Sequence, residues 1–193
     1  MSSQPKHAVT PEEYLAAERQ ATQKHEYYGG EVFAMSGASF AHVAIVANLT
    51  GHLFAGLQGG PCRAFSSDLR VKVSRTGLYT YPDVVVVCGP PQFDDEHDDT
   101  LLNPRLIAEV LSPSTETYDR GKKFAHYRTL DSLKEYLLIA QDQARVEQYI
   151  RQSSGDWLLH EATQMEDTIR LPSVESEFTL SDVYDKIQFD QPP

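Results

Sequence analysis

The chain has 193 residues, 40% of them hydrophobic, with 28 acidic against 17 basic side chains and a formal net charge of -11; this length supports one proper core and does not favour two domains. No stretch approaches the roughly 18 apolar residues of a membrane span, and the opening MSSQPKHAVT is polar with no apolar run behind it, so the sequence predicts a cytoplasmic protein without membrane association. The charge argues against nucleic acid, yet all of it lies in DDEHDD at 94–99 and in residues 161–193, which read as solvated surface and leave the neutral remainder free to form a local basic face.

In chain order, residues 1–9 are expected to be disordered, 10–186 to form a single domain, and 187–193 to trail as a tail. Thr10-Pro11-Glu12-Glu13 reads as an N-cap, a proline at N1 and acids in the first turn, which predicts a helix over 11–20. KHEYYGGEVFAM predicts a hairpin around Gly29-Gly30. Ile45, Val46, Leu49, Leu53 and Leu57 stand at helical spacing over 39–57. CRAFSSDLRVKV predicts a half-exposed strand, because Leu69, Val71 and Val73 alternate with charged residues. YPDVVVVCG predicts a strand covered on both faces, with Pro82 tolerated only near its start. Cys62 and Cys88 have neither zinc nor scaffold spacing and read as small core residues. Residues 89–103 read as an acidic loop, 105–111 as a strand, 117–130 as a helix and 135–140 as a strand, with RVEQYI and DWLLHEA closing the chain as a hairpin. The order predicts an α+β or α/β fold, a mixed sheet flanked by helices.

Glu109 interrupts the apolar run LIAEVL, and Asp83 opens the valine strand. A carboxylate buried without partners costs several kcal/mol. If adjacent strands set these two acids at one level, a cation is needed between them, and hard oxygen donors suit Mg²⁺ or Mn²⁺. The bland alternative has each acid ending a strand or pairing with an arginine such as Arg105.

Pro82-Asp83 followed by Glu109 resembles the signature of the PD-(D/E)XK nuclease superfamily, in which a lysine stands two residues after the second acid. Here that position is Leu111. On the following helix Asp119, Lys123 and Tyr127 stand at i, i+4 and i+8 on one face. EYYGGEVFAMSGAS, SSDLRVKV, TYPDVVVV, AEVLSPST and YDRGKKFAHYR, in that order, resemble the Uma-two restriction endonuclease family, whose lysine has migrated to this helix. The likeness runs from about Thr10 to Tyr184. It implies a restriction-endonuclease-like fold and a metal-dependent endonuclease acting on DNA, with Asp83, Glu109 and the Val110 backbone carbonyl as metal ligands and Lys123 as the catalytic lysine.

Lys122, Tyr127, Glu31 and Asp68 are further candidates, Glu31 as an added metal-shell carboxylate. The plain readings are a surface pair between Lys123 and Asp119, a solvated Lys122, an exposed hairpin acid at Glu31, a turn at Asp68 and a satisfied core histidine at His42. Ser112-Pro113-Ser114-Thr115 reads as the turn and cap of the next helix. Family analogy and the β tail suggest a homodimer. The alternative function is an inactive nuclease-fold protein binding nucleic acid or a partner chain, and RNA is an alternative substrate.

Overall fold

The computed structural model describes residues 8–189. Residues 1–7 of the expected disordered terminus and 190–193 of the expected tail lie outside them. Val9 donates its N–H to the Gly30 carbonyl at 3.0 Å. Thr10 caps α1 (Pro11–Glu18) through a capping box with Glu13, satisfying two N-terminal donors at once. The hairpin β1 (His25–Tyr28) and β2 (Glu31–Ala34) turns through Gly29 and Gly30 at φ 60° and 86°, a geometry that favours glycine. Gly30 has a second reason to be glycine, since a Cβ there would lie 2.8 Å from that of Ala8. Ser39 caps α2 (Phe40–Gly56), which buries Ile45, Leu49 and Leu53.

The stretch read as one strand is two. β3 (Cys62–Ser66) and β4 (Arg70–Val73) belong to different sheets, and Arg70 is buried rather than solvated. After β5 (Leu78–Thr80) the chain crosses between sheets at residues 81–83 and enters β6 (Val84–Cys88). A short β7 (Thr100–Leu101) ends the acidic loop and pairs in parallel with β4. β8 (Leu106–Leu111) is followed by a continuous helical segment: α3 (Glu116–Tyr118), a π-helical turn (Asp119–Lys123) and α4 (Phe124–Tyr127). β9 (Glu135–Ala140) returns parallel to β8. The expected closing hairpin is β10 (Val146–Arg151) with β11 (Trp157–Ala162). Beyond it lie an unanticipated second hairpin, β12 (Thr168–Leu171) with β13 (Ser176–Thr179), and a short α5 (Leu180–Val183).

The six-stranded sheet runs β11-β10-β9-β8-β6-β3 and the five-stranded sheet β2-β1-β5-β4-β7. α2 and the C-terminal segment cover one face of the larger sheet, meeting Val84, Val86, Leu106, Ala108 and Val110. Phe124 and Tyr127 of the crossover helix, with Val71 and Leu78 of the smaller sheet, cover the other face at Val85, Val87, Ile107 and Leu111. Cover on both faces is why β6 is a run of valines rather than an alternation. Among the described residues no helix is long and apolar enough to cross a membrane.

Two expectations need correction. Cys62 and Cys88 pack against the core only in part, and they face each other across β3 and β6 as a disulfide. The acidic loop is not simply solvated: Asp94 accepts from Lys72 at 2.6 Å, Asp95 from Arg19 at 2.6 Å and Asp99 from Arg19 at 2.8 Å. Arg70 Nη2 also lies 2.9 Å from Asp99 Oδ1, though without hydrogen-bond geometry there.

Candidate active site

The register of β6 against β8 sets Val84 opposite Ala108, so the residue before β6, Asp83, comes level with Glu109. Asp83 extends the ladder with its side chain: Oδ2 accepts the Val110 N–H at 2.8 Å. In a strand the N–H and C=O of one residue point to the same side, which turns the Val110 carbonyl toward the Asp83 end. The other oxygen, Oδ1, accepts from His42 Nε2 in the first turn of α2 at 3.0 Å.

Glu109 is buried on the opposite face from Val110, under the crossover helix. Its Oε1 receives both the Lys123 ammonium at 3.0 Å and the Tyr127 hydroxyl at 2.8 Å. Lys123 is 5% exposed, and its Nζ also lies 3.4 Å from Glu26 Oε1 and 3.5 Å from Asp119 Oδ1. Thr80 donates to the same Glu26 oxygen. The Tyr118 ring lies 6.0 Å from the ammonium. Asp119 and Lys123 open and close the π-helical turn, a rare local form that often sits at functional sites.

Glu26, Glu109 and Asp119 thus surround one buried lysine, Asp83 adds its charge next to Glu109, and negative charge is in excess. Burial, reinforced by Asp83 and Asp119 and opposed by Lys123, pushes the Glu109 carboxyl up to about 8. Burial also raises Asp119. For Lys123 burial works against the charge, but Glu109, Glu26 and Asp119 outweigh it and hold the ammonium well above the ordinary lysine range. The lysine is therefore protonated. The carboxyls around it are where added positive charge is most favourable.

Among the described residues no group of three or more His, Cys, Asp or Glu side chains is arranged to hold a metal ion. What the site offers is the Asp83 carboxylate just before β6, the Glu109 carboxylate within β8 and a main-chain carbonyl. Hard oxygens in that number fit Mg²⁺ or Mn²⁺, which commonly take one or two carboxylates and complete their shell with water and substrate phosphate. Two surface cavities, one by Phe54, Cys62 and Phe65 and one by Asn48, His52 and Asp182, do not include these acids. The cluster reaches the surface instead through Glu26, Asp83 and His42, whose side chains keep 13–16% exposure.

Of the residues singled out from sequence, the structure brings together Asp83, Glu109, Val110, Lys123 and Tyr127. Lys122 is exposed, one helical step from Lys123. Glu31 is exposed opposite Tyr28, and Asp68 is 86% exposed, held by Lys24 at 2.5 Å. Glu26 and His42 join the cluster although sequence reasoning did not choose them. Alternation in β1 was a signal for Glu26, since Tyr27 packs with Tyr14 and Tyr79 and its neighbours must face the other way.

The profile of the Uma2 family, described as "Putative restriction endonuclease", matches residues 11–182. Two proteins of Synechocystis sp. are similar over most of the chain. "Uncharacterized protein slr1290" is 38% identical over 181 residues, 94% of each chain. "Uncharacterized protein sll1609" is 41% identical over 153 residues, 79% of this chain and 86% of that one. A crystal structure of "a putative nuclease belonging to DUF820 from Anabaena variabilis" shares the fold, with a TM-score of 0.71 and 19% identity over 87% of this chain and 93% of that one. With a profile match that takes in β1, β6, β8 and the crossover helix alike, the chain belongs to the Uma2 family.

Proposed function

We propose that the protein is a metal-dependent endonuclease that hydrolyses phosphodiester bonds in DNA. The observation that carries this reading is the 3.0 Å contact between Lys123 and Glu109: a lysine from the crossover helix reaches the acid whose neighbour two residues on, Leu111, cannot supply one. Asp83, the Glu109 Oε2 atom and the Val110 carbonyl would hold Mg²⁺ or Mn²⁺, which when bound supplies a lowered water pKa and neutralises phosphate charge. Lys123, fixed by three carboxylates, orients the attacking water and stabilises charge developing on the phosphate oxygens. Tyr127 and Thr80 hold Glu109 and Glu26 by hydrogen bonds, which keeps the lysine from swinging out. Water is the nucleophile in this scheme, so no activated Ser or Cys is required.

One observation favours a second reading. Both Asp83 oxygens and Glu109 Oε1 already have protein donors, as they would in a structural polar network of an inactive nuclease-fold protein that binds nucleic acid or a partner chain. Incubating the protein with plasmid and Mg²⁺ or Mn²⁺, beside Asp83→Ala and Lys123→Ala, separates the two. Nicking by the wild type and its loss, about a hundredfold, in both variants is expected; no nicking with either metal supports the second reading. An RNA substrate in the same assay tests the polymer. A homodimer is part of the proposal, with the exposed Phe40, Val43 and Phe54 on α2 as its candidate surface, and sedimentation analysis tests it.

A further inference from the structure

Asp83 belongs to no strand. It sits on the link 81–83, where the chain leaves one sheet for the other, and a short acidic side chain on such a link keeps its rotational freedom unless donors remove it. Two donors from two different elements do so. The Val110 N–H, from the residue after Glu109, holds Oδ2 at 2.8 Å and ties Asp83 to β8. His42 Nε2 holds Oδ1 at 3.0 Å and ties it to α2.

The imidazole is itself well anchored. Ser39 Oγ accepts the His42 backbone N–H at 3.1 Å and donates to Gln141 Oε1, just past β9, at 2.7 Å. His42 therefore stands on a helical turn fixed at the carboxyl end of the parallel pair β8 and β9. An ionised carboxylate is an acceptor only, and in that form of Asp83 the contact takes its proton from His42 Nε2. The bond satisfies His42, and its partner is an acid of the cluster; His42 keeps 16% of its side chain exposed at the cluster's mouth.

We infer that His42 is a positioning residue for Asp83: together with the Val110 N–H it fixes the plane of the carboxylate, commits one lone pair on each oxygen, and leaves the others free to hold a cation. This inference rests on the metal-dependent reading above. Outer hydrogen bonds of this kind orient metal-binding carboxylates, and their loss typically costs tenfold to a hundredfold in affinity.

The test is calorimetric titration of Mn²⁺ alone into the wild type, His42→Ala and His42→Gln, with folding checked by circular dichroism. His42→Ala is expected to weaken Mn²⁺ binding at least tenfold, and His42→Gln, whose amide reaches the same point with an N–H, to recover most of it. If His42→Ala does not fold, His42→Phe keeps the ring's bulk without the donor and carries the same expectation. Equal Mn²⁺ affinity in the wild type and a folded Ala or Phe variant overturns the inference and leaves the metal reading standing. Absence of Mn²⁺ binding by the wild type, or binding that survives Asp83→Ala, overturns the metal reading and this inference with it.

Discussion

Replacing Lys123 by methionine removes the one ammonium that, among the described residues, pairs with Glu26, Glu109 and Asp119, while keeping most of the buried stem. At an effective dielectric of about 20, an ion pair at the 3.4–3.5 Å of Glu26 and Asp119 is worth about 5 kcal/mol before desolvation, and the 3.0 Å contact with Glu109 joins them as that carboxyl ionises. Desolvation of the ions takes most of that back, and removing one partner of such a buried set typically costs about 3–5 kcal/mol. For a domain of this size that is on the order of 10 °C in melting temperature.

The loss should depend on pH. Burial holds Glu109 near 8 in the folded protein against about 4.5 unfolded, so the folded chain binds the extra proton between those values. Stability linked to that proton is complete below about 4.5 and is lost as pH rises through 8. Lys123 opposes this rise in the wild type. Lys123→Met should therefore melt closest to wild type near pH 5 and furthest below it near pH 8, and exposed Lys122→Met should stay within about 0.5 kcal/mol throughout. Thermal melts followed by circular dichroism at both pH values measure this. A Lys123→Met protein that melts with the wild type at pH 8, or whose deficit is larger at pH 5, would refute the view of Lys123 as the buried counter-ion.

Glu109→Gln keeps an acceptor for Lys123 and Tyr127 but removes the charge, so Mn²⁺ affinity by calorimetry should fall at least tenfold with the fold retained; equal affinity would exclude Glu109 as a ligand. In the acidic loop, Arg19, with Arg70 contributing, holds the Asp99 carboxyl well below the usual range, which gives stability present above about pH 4 and lost as pH falls below it. Asp99→Asn should cost about 1 kcal/mol at pH 7, discounted for a side chain 34% exposed, and the difference in urea melts should shrink toward pH 2; a difference independent of pH would show that the ion pairs add nothing. Reducing Cys62–Cys88, with a sequence separation of 26, should lower stability by up to about 3.5 kcal/mol in the chain-entropy description. Identical melts with and without reductant would mean that the cross-link contributes no stability.

Much of the local structure was determined by the sequence itself. Thr10-Pro11 with Glu13, the Gly29-Gly30 turn, Ser39 before an apolar helix and four valines in a row each dictate backbone geometry through near neighbours, and each element formed where those residues required it. Glu109 was conspicuous because no periodicity accounts for a carboxylate in LIAEVL, and the spacing of Asp119, Lys123 and Tyr127 put them on one side of their helix. Tertiary structure decided which groups would meet them. Periodicity tells a residue which face of its own element it occupies, but not which other element that face will touch, so Glu26 from the smaller sheet and His42 from α2 could not be placed against Asp83 and Glu109. The π-helical turn that closes on Lys123 has no marker in DRGKK. The same limit misread DDEHDD as solvated charge, since Arg19 and Lys72 lie far from it in the chain, and left Cys62 and Cys88 apart until the register of β3 on β6 set them face to face. Short-range sterics and hydrogen bonds are written in adjacent residues, whereas charge pairing and cross-linking depend on distances that only the packed sheets define.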